Sequence, residues 1–177
     1  MKYSREVLLN ALKDFEEITI LQSSLENENG SIVYEWKGST MLLSIPKKSD
    51  KFGIKNSSRL QSAFGIDFIF RPEDTLTKIS TLDKYRISNY LTAKAENVCC
   101  IAYIESKDAF KVSAKYMQIL ENRPEYKLTK QEDNSETIRY ILLYLMGMCL
   151  FSSADLAEML EDFLDNDKDQ SELLKDF

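Results

Sequence analysis

Histidine is missing from this chain of 177 residues. That absence excludes Ser-His-Asp and Cys-His catalytic arrangements and every zinc site built on imidazole. Glycine is scarce: there are five, and none falls in a G-x-G-x-x-G or Walker-type spacing, so the chain encodes no phosphate-cradling loop. Only three cysteines occur, Cys99, Cys100 and Cys149, too few for paired zinc-ribbon ligands. An odd number in apolar surroundings points to reduced thiols and a cytoplasmic location. Adjacent on a strand, Cys99 and Cys100 would face opposite ways. The start, Met-Lys-Tyr-Ser-Arg-Glu, lacks the apolar core of a signal peptide. Positive charge is in deficit, with a net charge of -6 and a pI near 4.9. General binding to nucleic acid or to an anionic membrane needs the opposite balance.

What is present centres on Tyr140–Phe151, an apolar run without a charge. It falls short of the roughly 20 residues that cross a bilayer. Its Met and Leu content favours helix. Asp133, with Glu136 three residues on, resembles a capping box. The expectation is a helix from about Asn134 to Phe151, apolar on nearly every face and therefore buried. Ser152 or Ser153 then caps a separate last helix, in which Leu156, Met159, Leu160, Phe163 and Leu164 repeat at helical spacing.

Upstream, Ser4 caps a helix that carries Val7, Leu8, Ala11, Leu12 and Phe15 and ends near Glu17. Ile18–Leu25, Ile32–Lys37 and Met41–Ile45 read as a three-stranded antiparallel meander, with turns at Asn29-Gly30 and Gly38-Ser39. Residues 46–58 form a loop in which Lys47, Lys48, Lys51, Lys55 and the following Arg59 oppose only Asp50. A short helix over Ser58–Phe64 ends at Gly65, and Ile66–Phe70 is a short strand. Residues 73–97 allow one or two helical pieces around Leu76, Ile79, Leu82, Tyr85 and Leu91. Val98–Ile104 is a buried strand, and 109–121 reads as a second strand that a helix could replace. The fold class is α+β: N-terminal helix, meander, mixed middle, second strand pair, long buried C-terminal helix, then an acidic amphipathic helix. Residues 1–165 are expected to form one domain, and 166–177 an acidic, disordered tail.

Two patterns carry functional weight. Glu105-Ser106-Lys107 ends an apolar strand, and Asp67 lies on an earlier one. Those residues resemble the PD-(D/E)xK metal-dependent nucleases, in which an Asp and a Glu hold Mg²⁺ and the Lys orients water. The likeness implies Asp67, Glu105 and Lys107 as catalytic groups. Against it, Asp67 lacks the preceding Pro, and Glu35-Trp36-Lys37 and Glu125-Tyr126-Lys127 repeat the E-x-K pattern.

The second pattern is the acidic end. Asp155–Phe177 holds nine acidic residues against Lys168 and Lys175, a charge of -7, which leaves the rest of the chain at +1. Leu156, Met159, Leu160 and Phe163 would either pack on the core beneath a solubilising acidic face or serve as apolar anchors for a partner, with Glu158, Glu161 and Asp162 steering a basic one. The order helix, three strands, helical middle, strand pair, long helix is similar to that of class I type III secretion chaperones. That likeness implies a small, acidic, cytosolic and dimeric protein that holds a partner segment unfolded. Immunity proteins and inhibitors of basic enzymes fit the same facts. The leading expectation is a non-enzymatic acidic protein-binding module of chaperone, inhibitor or immunity type. It needs no cofactor and no metal, its partner is a protein with a basic surface, and a homodimer is compatible with it. The rivals are the nuclease and a structural subunit of a larger assembly.

Overall fold

The computed structural model describes residues 5–21, 31–45, 60–94, 99–119 and 135–165. Among these residues it has four helices and a six-stranded antiparallel sheet, an α+β fold. Expectations for Ser4, the Asn29-Gly30 turn, the basic loop around Lys47–Lys55 and Arg59, the Asp133 cap and the 166–177 tail lie outside the described residues.

Helix α1 spans Arg5–Lys13 and buries Leu8, Ala11 and Leu12 at i, i+3, i+4 spacing. It stops four residues before Glu17. The backbone then turns through Asn10, Leu12 and Phe15, whose carbonyls accept from Asp14, Phe15 and Ile18. Strand β1 (Ile18–Ile20) pairs with β2 (Ile32–Trp36), which pairs with β3 (Ser39–Ser44). Ile32, Tyr34 and Trp36 on β2 and Met41 and Leu43 on β3 all point into the core. Trp36 sits opposite Ser39, so the turn is Lys37-Gly38, one residue earlier than expected. Both turn residues have positive φ, +50° and +74°. A two-residue turn of this hand matches the twist of the strands, and Gly38 adopts it without the penalty that a side chain brings.

Strand β4 runs over Leu60–Phe70. The expected helix at 58–64 is therefore replaced by strand from Leu60 onward. Phe64, Ile66 and Phe68 alternate into the core, and that period-2 burial outweighs the local helix signal. Gly65 lies within the strand rather than ending a helix. A single turn, α2 (Glu73–Leu76), follows Pro72. Helix α3 covers Thr81–Lys94. The break between them, at 77–80, is set by Ser80: its hydroxyl donates to Asp83 and accepts from the Asp83 amide at 3.2 Å, a reciprocal cap.

Strands β5 (Cys99–Ile104) and β6 (Ala109–Ile119) form a hairpin through a 3₁₀ turn at Glu105–Lys107 and Asp108, whose φ is +44°. The strand reading of 109–119 thus holds over the helical one. Sheet order is β1-β2-β3-β4-β6-β5. Helix α4 is a single helix, Ser135–Asp165. The expected break at Ser152 and Ser153 does not occur. Ser153 donates to the Leu150 carbonyl at 2.7 Å, which satisfies its hydroxyl inside a continuing helix instead of at a cap.

Two compact units divide the chain, Met1–Ile66 with Lys115–Leu145, and Asp67–Ala114 with Met146–Phe177. In the first, Phe64 and Tyr116 stack with ring centroids 5.5 Å apart, and Arg139 lies over the Phe15 ring. In the second, α3 is fastened to β5 by Thr92, whose hydroxyl donates to the Ile101 carbonyl and accepts from its amide, at 2.9 and 3.0 Å.

Candidate functional site

Of the sequence patterns, the carboxylates alone imply catalysis. Asp67, on β4, accepts from the Ser113 hydroxyl of β6 at 2.6 Å and lies 3.8 Å from the Lys111 ammonium. Glu105 and Lys107 sit in the exposed turn after β5 and point into solvent. Glu105 accepts from Tyr85 Oη at 3.3 Å. Strand β6 separates β4 from β5, and Ser113 lies opposite Cys100, five residues short of Glu105. At ordinary strand spacing and rise, Asp67 and Glu105 are roughly 15–20 Å apart. Carboxylates sharing one Mg²⁺ need oxygens within about 4 Å of one another. The structure therefore does not bring Asp67, Glu105 and Lys107 together. Among the described residues no group of three His, Cys, Asp or Glu could hold a metal ion.

A polar cluster that the sequence did not signal stands between α3 and the β5–β6 hairpin. Lys84 is almost fully buried, and its ammonium donates to Asp108 at 2.6 Å. Tyr103 Oη donates to the same carboxylate oxygen at 2.6 Å, and Lys84 lies 5.3 Å from the centre of the Tyr103 ring. The Lys84 bond, then the Tyr103 bond, holds the Asp108 carboxyl below its ordinary range. Burial first, then the bond to Asp108, pushes Tyr103 up to about 12. Proton transfer in catalysis works best with groups that titrate near the working pH. Asp108 and Tyr103 are driven away from neutrality in opposite directions, so their geometry suits a clamp. The sequence carried no local sign of it, because Lys84 and Asp108 are 24 positions apart.

The cysteines fall as the strand geometry required, with Cys99 buried and Cys100 exposed. Cys149, on α4, is buried beside Cys99. A hydrogen bond from Cys149, reinforced by Ser152, brings Cys99 down to about 7 against the opposing effect of burial. The same bond, together with burial, pushes Cys149 up. Cys149 also donates to the Val112 carbonyl of β6 at 4.0 Å.

Helix α4 carries the predicted binding residues, and the structure divides them. Leu156, Leu160 and Phe163 are buried in the core, so they are not available as anchors for a partner. Met159 is half-buried. Glu158, Glu161 and Asp162 are exposed, as are Asp155 and Asp165. Further back, Ile138, Leu142, Leu145, Met146 and Cys149 form the buried side. The expectation that the run is buried on every face is corrected. Tyr140 keeps 65% of its surface, Leu143 42%, Tyr144 54% and Phe151 72%. At 100° per residue these four fall on the side of α4 centred on Gly147, opposite the core side. Counting residues around the helix would have revealed this second apolar side. By length and composition α4 could cross a membrane, although 39% of its most apolar window is buried within the protein.

No family model matches this chain, and no curated protein or solved structure matches it either.

Proposed function

We propose that the protein acts by direct protein–protein contact, as a non-enzymatic, cytoplasmic, acidic binding module of the chaperone, inhibitor or immunity type. The observation that supports this reading is the last third of α4. Its inner side, Leu156, Leu160 and Phe163, is locked in the core, while Asp155, Glu158, Glu161, Asp162 and Asp165 stand in solvent. A row of carboxylates on a rigid helix makes a fixed, one-sided negative field. Such fields raise association rates with basic partners and are screened over about 8 Å at physiological ionic strength.

The test begins with a partner captured by cross-linking in the source cell. Its association rate is then measured against salt, with the wild type and with Glu158, Glu161 and Asp162 all changed to Lys. The reading expects a rate that falls with salt and falls further in the triple variant, while the melting temperature barely moves. An association rate indifferent to both salt and the triple reversal would leave the acidity as a solubilising surface and end the proposal. Cutting of DNA or RNA in Mg²⁺ or Mn²⁺, lost in Glu105→Gln, would replace it with the nuclease.

A further inference from the structure

We infer that a second copy of this chain docks on the outward side of α4, with the two helices antiparallel and crossing at Gly147. This goes beyond the acidic-end reading and uses a different part of the helix. Three observations carry it. The first is the glycine itself. A side chain added at Gly147 would meet nothing within 4 Å inside the chain, so internal packing gives no reason for a glycine there. Within a helix it forfeits about 1 kcal/mol relative to Ala. A helix crossing at that point gives a reason, because small residues at the crossing allow close axial approach.

The second observation is the symmetry of the face about that residue. In an antiparallel pair on a two-fold axis, position 147 + n meets position 147 − n of the other copy, and both contacts occur twice. Leu143 then meets Phe151, and Tyr140 meets Ala154. All four are exposed. Tyr144 flanks the axis beside Leu150.

The third is charge. The same arithmetic sets Arg139 against Asp155, opposite charges that are both exposed. Arg139 is already oriented by its stacking over Phe15, 5.3 Å from the ring centre, which leaves the guanidinium edge to donate. One step further out Glu136 would meet Glu158, so the favourable pairing ends at about that point. The exposed fractions of Tyr140, Leu143, Tyr144 and Phe151 amount to about 450 Å² per copy, or about 900 Å² for the pair, using typical side-chain areas. That is small for a specific interface and implies a dimer that forms in the micromolar range.

Sedimentation equilibrium of the full chain from 1 to 200 μM (a range on the order of the expected Kd) should show monomer passing into dimer. Phe151→Glu should weaken the dimer by about 30-fold or more, the scale of an aromatic anchor lost from an interface centre. Its melting temperature, read at a concentration where the wild type is monomeric, should be unchanged. In a Cys100→Ser background, Gly147→Cys should form a covalent dimer on oxidation, because the position lies on the two-fold axis. Arg139→Asp should weaken the dimer, and Arg139→Asp with Asp155→Arg should restore it. Salt screens the Arg139–Asp155 pairs and also the repulsion between two chains of charge -6, so the largely apolar dimer should change little with salt. Contact through the acidic end weakens with salt, so the two proposals can fail separately. A monomer across the whole range would overturn the inference. So would a dimer insensitive to Phe151→Glu and not captured by Gly147→Cys, or a monomer that uses this face to bind vesicles of neutral phosphatidylcholine.

Discussion

Helices α3 and α4 break the ordinary amphipathic pattern in opposite ways. In α3 the inner side contains Lys84 and Ser88 beside Ile87 and Leu91, while Leu82 and Tyr85 are turned outward. In α4 the inner side is apolar as expected, but the outer side between Tyr140 and Phe151 is apolar too. The irregularity of α3 is answered within the chain: Lys84 has Asp108, Ser88 donates to the Tyr85 carbonyl at 2.9 Å, and Tyr85 packs edge-on against Tyr103. That of α4 is not answered by the buried core. A buried charge must find a partner for the protein to fold at all, because leaving it unpaired costs several kcal/mol. Exposed apolar surface carries no such penalty in a folded monomer and can be kept for use.

The largest effect that would break this comparison comes from the two sides of α4. Leu145→Asp places an unpaired charge in the core, at a cost on the order of the whole stability of a domain. It should prevent soluble expression. Leu143→Asp, on the outer side, should yield soluble protein whose circular-dichroism melt stays close to wild type. Equal solubility of the two variants would show that the sides were wrongly assigned.

Next in size is the answer that α3 finds. Asp108→Asn keeps a residue that tolerates positive φ but strands the Lys84 ammonium. The loss should be about 2 kcal/mol, less than for a fully buried pair because 39% of the Asp108 side chain meets solvent. Since the folded-state pKa of Asp108 is depressed, its contribution is present above the unfolded value near 3.9 and disappears as pH falls through the folded one. The gap in denaturant midpoint between wild type and Asp108→Asn should therefore narrow as pH falls below about 4. A gap that stays constant from pH 7 down to pH 2 would contradict the pairing.

Smaller still is the effect of Thr92→Val, which removes both hydrogen bonds to Ile101 from α3. It should cost about 1–2 kcal/mol, visible as a lower urea midpoint with unchanged slope. The smallest is kinetic and leaves stability alone. Cys100 should react with a thiol reagent in the folded protein at the rate of an open thiol. Cys99 and Cys149 should react only after denaturant is added, despite the lowered pKa of Cys99, because burial withholds them. Rapid modification of all three would place β5 and α4 farther apart than described.

Legibility followed the range of the interaction. Strands β2 and β3 could be read because Ile32, Tyr34, Trp36, Met41 and Leu43 alternate locally, β5 because Val98–Ile104 is a short apolar run with β-branched residues, and β6 because Phe110, Val112 and Ala114 alternate with Lys111 and Ser113 in the sequence. The cap at Ser80 is legible in the letters, since Ser80-Thr81-Leu82-Asp83 has capping-box spacing. Leu60–Phe64 could not be decided locally, since a short segment ending at a glycine supports helix or strand until a neighbouring strand is supplied. The metal reading fails for a related reason: Asp67 lies on β4 and Glu105 follows β5, but β6 lies between those strands.

By itself the sequence determined the α+β class, the alternating strands, the opposite facing of Cys99 and Cys100, and the acidity of the end of α4. Each of these depends on neighbours within a few positions or on charges summed along the chain. Only the tertiary structure decided that Lys84 is an inner residue, that α4 runs unbroken past Ser153, and which of the two apolar sides of α4 is the surface, the one with Tyr140, Tyr144 and Phe151. Those outcomes depend on which elements lie beside a residue in space. Burial and pairing energies of several kcal/mol per side chain then outweigh local preferences of less than about 1 kcal/mol.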